Sequence, residues 1–158
     1  MGRGLLYIVL PLVALVTAPV AAQAPVDVVV ITHPSTEVES IDQQMLFDFF
    51  TRDRLYWKDG QAATIFDMRE RNPVKEAFYK HFLGKSPSRV KSAWLKKKLM
   101  GEGDPPEALD SAQEVIERVT HTVGAIGYVA RDQVVPGVKV LTVIGSSTGE
   151  PIRTAGAR

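Results

Sequence analysis

Cysteine is absent from all 158 residues. That excludes disulfides, thiolate nucleophiles, cysteine metal ligands and a lipidated N-terminal cysteine. Histidine is scarce: His33, His81 and His121 stand far apart, without the spacing of a ligand set, so no metal is expected. Neither sign of charge is in excess, with 19 basic residues against 18 acidic ones, which speaks against nucleic acid as a partner. The one basic run, Lys96-Lys97-Lys98 beside Trp94, reads as a solvated helix face. There is no Gly-rich phosphate loop and no nucleophile paired with a base, so neither catalysis nor a cofactor is expected.

What is present begins with an asymmetric N-terminus. Arg3 is the only charge before Asp27, Leu5 to Ala22 is apolar and rich in small residues, and Ala22-Gln23-Ala24 closes the stretch. A basic start, an apolar run and an A-x-A site predict a secretory signal peptide over residues 1–24 and a periplasmic location. The same run is just long enough to span a bilayer, but Pro11, Pro19 and the small residues near its end favour cleavage over anchoring. Cleavage would leave 18 basic and 18 acidic residues, so the pI near 8.0 belongs largely to the precursor.

The remaining chain has no linker and no repeat, and reads as one domain over residues 25–144 followed by a small, polar tail at 145–158 that is expected to be flexible. Val26–Thr32 is β-branched and nearly continuous, as in a strand buried on both faces. After His33-Pro34, Ser40 with Gln43 reads as a capping box opening a helix that buries Ile41, Met45, Leu46, Phe49 and Phe50. Asp59-Gly60 marks a turn and Ala62–Met68 a second strand. Asn72-Pro73 starts a helix that buries Val74, Ala77, Phe78 and Phe82 and stops at Gly84. Ser86-Pro87 starts another, burying Val90, Ala93 and Trp94 and ending at Gly101.

Pro105-Pro106 reads as irregular, and Ser111 with Glu114 as a second capping box, before a helix with Val115, Ile116 and Val119 on one face. Ile126–Val129 and Val138–Val143 are the last strands, with Gly124 ending the preceding helix and Gly127 admitting a close neighbour. Strands and helices alternate, which gives an α/β class with a mixed, mostly parallel sheet flanked by about four helices.

Several residues recur in a specific order: Leu46-Phe47-x-x-Phe50, Trp57-Lys58-Asp59-Gly60, Arg69, Phe78, Trp94, Gly101, Pro105-Pro106 and Gly124-Ala125-Ile126-Gly127-Tyr128-Val129. Over residues 26–143 this series resembles the phosphate ABC transporter substrate-binding protein family, in the short form that carries a single PBP-like lobe of the type II periplasmic-binding fold. Full-length members have two lobes joined by a hinge, with phosphate in the cleft between them. The resemblance implies an exported, non-catalytic solute binder for phosphate or a similar oxyanion, with an ABC permease as partner.

In that family one lobe supplies an arginine and a Ser-Gly-Thr turn at a helix start, whose amides point at the anion. Arg69 matches the arginine's neighbourhood, with Arg71 close by. Where Ser-Gly-Thr would stand this chain reads Asn72-Pro73-Val74, without a hydroxyl and with one amide fewer. Asn72 reads equally as an ordinary N-cap, and Asp67, Glu70 and Glu76 are near enough in sequence to pair with the two arginines. Ser35 and Thr36 follow the first strand, at the crevice end where α/β folds bind ligands, and complete the candidate set beside Arg69, Arg71, Asn72 and Val74. The missing second lobe and the altered turn leave a second reading open: a periplasmic interaction module that keeps the lobe, has lost the ligand, and meets an envelope protein or a second copy of itself.

Overall fold

The computed structural model describes residues 26–145 and 149–152. The expected signal peptide and most of the expected tail lie outside the described residues. The first strand, β1 (Val28–Thr32), is buried at every position, as its unbroken β-branched run requires. β2 (Ser40–Asp42) follows, then α1 (Gln43–Thr51), β3 (Thr64–Met68) and α2 (Pro73–Phe78). A π-helical turn over Tyr79–Leu83 continues α2, and α3 (Pro87–Leu99), β4 (Glu107–Leu109), α4 (Ala112–His121), β5 (Ala125–Ala130) and β6 (Lys139–Ile144) complete the order.

The six strands form one sheet in the order β2-β6-β1-β5-β3-β4. β1 is antiparallel to both its neighbours, β5 and β6, while β2–β6, β3–β5 and β3–β4 pair parallel. Five strands therefore run one way and β1 alone runs the other. Helices cover both faces, as a mostly parallel sheet demands. The alternation of β5 shows it: Gly127 meets Val115 and Val119 of α4, while Tyr128 stacks on Phe78 of α2 at 3.9 Å between ring centroids. Phe50 of α1 lies 4.8 Å from the Phe78 ring and 5.9 Å from the Tyr128 ring on the same side. Trp57 ties its loop to this core, its Nε1 donating to Gly124 O at 2.9 Å, and Trp94 ties α3 to α1, its Nε1 donating to Phe50 O at 3.1 Å.

Most helix boundaries follow the expected caps. Val74 N donates to Asn72 Oδ1 at 2.8 Å with Pro73 at the first position, Glu114 N donates to Ser111 Oγ at 3.1 Å, and Gly84 closes the π-helical turn in the left-handed region at φ 61°. Two expectations are corrected and one strand is added. Ser40 opens no helix: it sits in β2, paired with Thr142, and the cap of α1 is Asp42, whose Oδ1 accepts from Met45 N at 2.7 Å. Pro105-Pro106 is irregular as expected, and directly after it lies an unexpected short strand, β4, that lines up along β3 with Phe66 opposite Glu107. Ala93 is exposed, because α3 turns only Val90 and Trp94 fully inward. Beyond β6, Ile152 N donates to Val143 O at 2.6 Å and Gly145 N to Glu150 O at 2.8 Å, so residues 149–152 lie back along that strand.

Gly124 is the tightest position in the fold. Its φ is +78°, and a Cβ there would stand 2.3 Å from the backbone oxygen of Ala62. At Gly127 the nearest atom would be Val115 Cγ1 at 2.8 Å, a side chain that can shift, and at Gly60, with φ +87°, nothing lies within 4 Å. Replacing each by alanine should therefore destabilise unequally. Urea unfolding is expected to show a loss of about 3 kcal/mol or more for Gly124→Ala, about 1–3 for Gly127→Ala and about 1 for Gly60→Ala. A Gly124→Ala protein as stable as Gly60→Ala would mean that the β3–β5 approach is not fixed by this residue.

Candidate functional site

β3 ends in an acidic residue that faces inward. Asp67 is 6% exposed, so its carboxylate must find partners inside the protein. It accepts from Met68 N at 2.9 Å and Tyr128 OH at 2.5 Å on Oδ1, and from Lys75 Nζ at 2.8 Å and Tyr79 OH at 2.7 Å on Oδ2. Each donor comes from a different place: the strand itself, β5, the first turn of α2, and the π-helical turn. Lys75 is 8% exposed and also donates to Met68 O at 2.8 Å, so two of its three N–H groups close the strand end against the helix. Burial, then the neighbouring Asp67 charge, push the Tyr79 phenol far above its ordinary value, and the same causes raise Tyr128. Both phenols therefore stay protonated and serve as donors.

Above this cluster the chain makes the turn that holds the expected anion ligands. Arg69 N donates to Leu109 O at 3.0 Å, which prolongs the β3–β4 ladder by one residue. Arg71 takes the left-handed conformation at φ 66° and turns the chain into the Asn72 cap. Arg69 and Arg71 line a groove of about 810 Å³ between the β3–α2 turn, α3 and the Pro105-Pro106 segment, with Asp67, Lys75 and Tyr79 also on its wall. α3 contributes Lys91, Trp94 and Leu95 to the same groove.

The candidates separate into two groups. Arg69, Arg71, Asn72 and Val74 lie together at the end of β3. Ser35 and Thr36 do not join them. β1 runs opposite to β3 and β5, so the end of β1, where Thr32 lies opposite Ile126, is at the start of β3, where Ile65 also lies opposite Ile126. The expectation of a shared crevice end fails on that reversal. Ser35 instead bonds His33 Nδ1 at 2.7 Å, and Thr36 is buried with its hydroxyl 3.0 Å from that of Thr32.

The arginine partners also differ from expectation. Arg69 forms an ion pair with Asp110 beyond β4, not with Asp67, Glu70 or Glu76. Glu70 pairs with Lys91 of α3, which lowers its pKa through that hydrogen bond, and Asp67 pairs with Lys75. At the helix start, the Val74 amide is already engaged by Asn72 Oδ1 and Glu76 N by Asn72 O. Sequence reasoning missed Lys75, Tyr79 and Tyr128 as partners of Asp67. One signal was available: a carboxylate inside the apolar run Ile65–Met68 requires an internal cation, and Lys75 stands in the first turn of the next helix.

The described residues contain no group of three or more His, Asp or Glu side chains that could hold a metal ion. No described helix is long and apolar enough to cross a membrane.

Strand order, helix placement and the turn after β3 define an α/β lobe of the periplasmic-binding type. Solved phosphate receptors share this fold. The chain superimposes on an ABC-type phosphate transport receptor from Vibrio cholerae with a TM-score of 0.60 and 12% identity, covering 80% of this chain and 49% of that one. A protein assigned as a phosphate ABC transporter substrate-binding protein, with bound phosphate, from Clostridium perfringens gives 0.61 and 17%, covering 75% and 46%. PstS from Borrelia burgdorferi gives 0.57 and 16%, covering 75% and 48%. The chain thus spans about half the length of each of these structures. No family model and no curated protein sequence matches it.

The buried cluster yields a mutational and a pH prediction. Asp67→Asn leaves the Lys75 ammonium buried without its counter-charge, and urea unfolding is expected to show a loss of about 3–5 kcal/mol. Tyr79→Phe removes one neutral donor and should cost about 1–2 kcal/mol. A loss below 1 kcal/mol for Asp67→Asn would show that the cluster does not hold the turn. Both buried phenols have pKa values raised above those of the unfolded chain, so their contribution is complete below the unfolded value near 10 and is lost as pH rises above it. Stability should therefore fall above about pH 10 by up to about 2.7 kcal/mol per pH unit, and Tyr79→Phe should reduce that slope.

Proposed function

We propose that this chain is an exported, non-catalytic binding domain of the solute-receptor type that takes phosphate or a related oxyanion at the end of β3. Arg69 and Arg71 would supply the charge, and the turn capped by Asn72 and Val74 would supply position. The supporting observation is the placement of both arginines on one groove, at the strand end before a helix, in a lobe with the fold of phosphate receptors. On this reading the domain works in the periplasm and serves phosphate ABC transport, with a permease as partner.

A specific observation favours the second reading, an interaction module that has kept the lobe without the ligand. Apart from Arg71, the groups that would greet an anion already have partners within the chain: Asp110 holds Arg69, Asn72 Oδ1 holds the Val74 amide, and Pro73 has no N–H. The Arg69–Asp110 pair is about two-thirds exposed on both sides, so opening it costs little.

That pair separates the two readings. If the site is an anion site, millimolar phosphate should raise the melting temperature by a few degrees, since ligand at 100 times Kd adds about 2.7 kcal/mol. Arg69→Ala should abolish the shift, and Asp110→Ala should enlarge it by releasing Arg69. If phosphate, sulfate and molybdate leave the wild type, Arg69→Ala and Asp110→Ala unchanged, oxyanion binding is refuted. Crosslinking in the native envelope fraction then tests the module, which requires a captured envelope protein or a homodimer.

A further inference from the structure

The basic side chains of this protein are not distributed evenly with respect to their partners. Among the described residues Arg69, Lys75, Lys91, Lys97, Lys98, Arg118, Arg131 and Lys139 each meet a carboxylate. Arg52, Arg54, Lys58, Arg71, Lys80, Lys85, Arg89 and Lys96 form no such ion pair, and of these Lys80, Lys85 and Arg89 together line one concavity of about 720 Å³ between α2, the π-helical turn and the start of α3. His81 lines it too, and Glu76 is the one carboxylate on its wall.

The local fold makes this concavity. Gly84, in the left-handed region, reverses the chain after the π-helical turn, so Lys80 and His81 at the end of one helix and Lys85 and Arg89 at the start of the next share one wall. Like charges gathered in a concave site repel one another and raise the local potential, which draws in a counter-ion. In a chain whose net charge is only +1, three bare cations around one hollow are a local excess.

We infer that this pocket, lined by Lys80, Lys85 and Arg89, is a binding site for a multiply charged phosphate-type anion larger than orthophosphate. The number of cations sets the size, since three unpaired positive groups around one hollow are matched by several anionic groups better than by one. The chemistry sets the class, since guanidinium and ammonium groups without internal acceptors are matched by several phosphate oxygens at once. The site is distinct from the groove at Arg69 and Arg71, with which it shares only Glu76 and Pro87 on its wall. The inference does not rest on the oxyanion reading of that groove. Its ligand chemistry has two sources, a free condensed phosphate or the headgroup of an anionic phospholipid, and experiment can tell them apart.

Titration calorimetry of the full chain with inorganic tripolyphosphate tests the first source, and co-sedimentation with phosphatidylglycerol vesicles against phosphatidylcholine vesicles tests the second. Saturable binding in either arm is expected and names the source. The exposed double variant Lys85→Ala/Arg89→Ala should keep the wild-type circular dichroism and weaken that binding roughly tenfold, the effect of two partly screened charges. Lys58→Ala/Lys96→Ala, which removes two unpaired cations elsewhere, should change it by less than about twofold. No saturable binding in either arm, or an equal loss in the Lys58/Lys96 variant, would overturn the inference.

Discussion

A carboxylate and an ammonium buried side by side hold the β3–α2 end of this lobe in shape. Taking Asp67 and Lys75 out of water costs several kcal/mol for each ion, and their mutual attraction offsets that only where further donors and acceptors complete the geometry. Here they do: Asp67 receives four hydrogen bonds and Lys75 reaches both Asp67 and the Met68 carbonyl. No buried side-chain nitrogen or oxygen among the described residues lacks a partner. The cluster links β3, β5, α2 and the π-helical turn, so the turn from Arg69 to Asn72 is suspended between fixed ends. The π-helical turn belongs to the same constraint, since it begins at Tyr79, whose hydroxyl must reach Asp67.

Strand direction supplies the second constraint. Because β1 alone is reversed, the carboxyl ends of five strands gather at one edge of the sheet while the end of β1 lies at the other. The chain entering β1 accordingly meets the start of α2: Val26 lines the same hollow as Pro73 and Glu76. A motif placed after β1 in sequence is therefore remote from Arg69 in space. β1 lies between β6 and β5 in a sheet covered on both faces, so its β-branched run is buried at every position.

What was legible in the sequence follows a physical division between local and non-local determinants. Asn72-Pro73, Ser111 with Glu114, and Gly84 each act within one helical turn, and each lies where the sequence places it. Gly127 was legible as a close approach, and Gly124 as a left-handed position, though the helix is capped earlier, at Thr122, and the contact of Gly124 with Ala62 O comes from far along the chain. The failures were non-local. Ser40 carries a correct capping pattern, yet its pairing with Thr142 of β6 draws it into a strand and hands the cap to Asp42. β4 is three residues long and has no apolar alternation of its own, so only the edge of β3 makes it a strand. Ser35 and Thr36 failed because strand polarity is a property of the sheet and leaves no mark on the strand's own residues. Asp67 and Lys75 were readable as an anomaly, but the two phenols that complete their cluster were not.

The pairing of charges shows how the lobe divides its surface. Around the turn after β3 most cations are matched, Arg69 by Asp110, Lys91 by Glu70 and Lys98 by Asp104, while Arg71 on the same groove forms no ion pair. These pairs are largely exposed, so they add little stability and mainly orient side chains along the groove. A ligand that engages Arg69 there must displace an internal carboxylate, which makes that contact a competition. On either side of Gly84, Lys80, Lys85 and Arg89 form no ion pair, and Glu76 is the one carboxylate on the wall they share. An anion meeting that hollow would break no ion pair of these three side chains, although both regions are built on the same two helices. The difference follows from where carboxylates reach: β4 and its flanks bring Asp104 and Asp110 to one side of α3, and among the described residues Glu76 alone lines the hollow on the other.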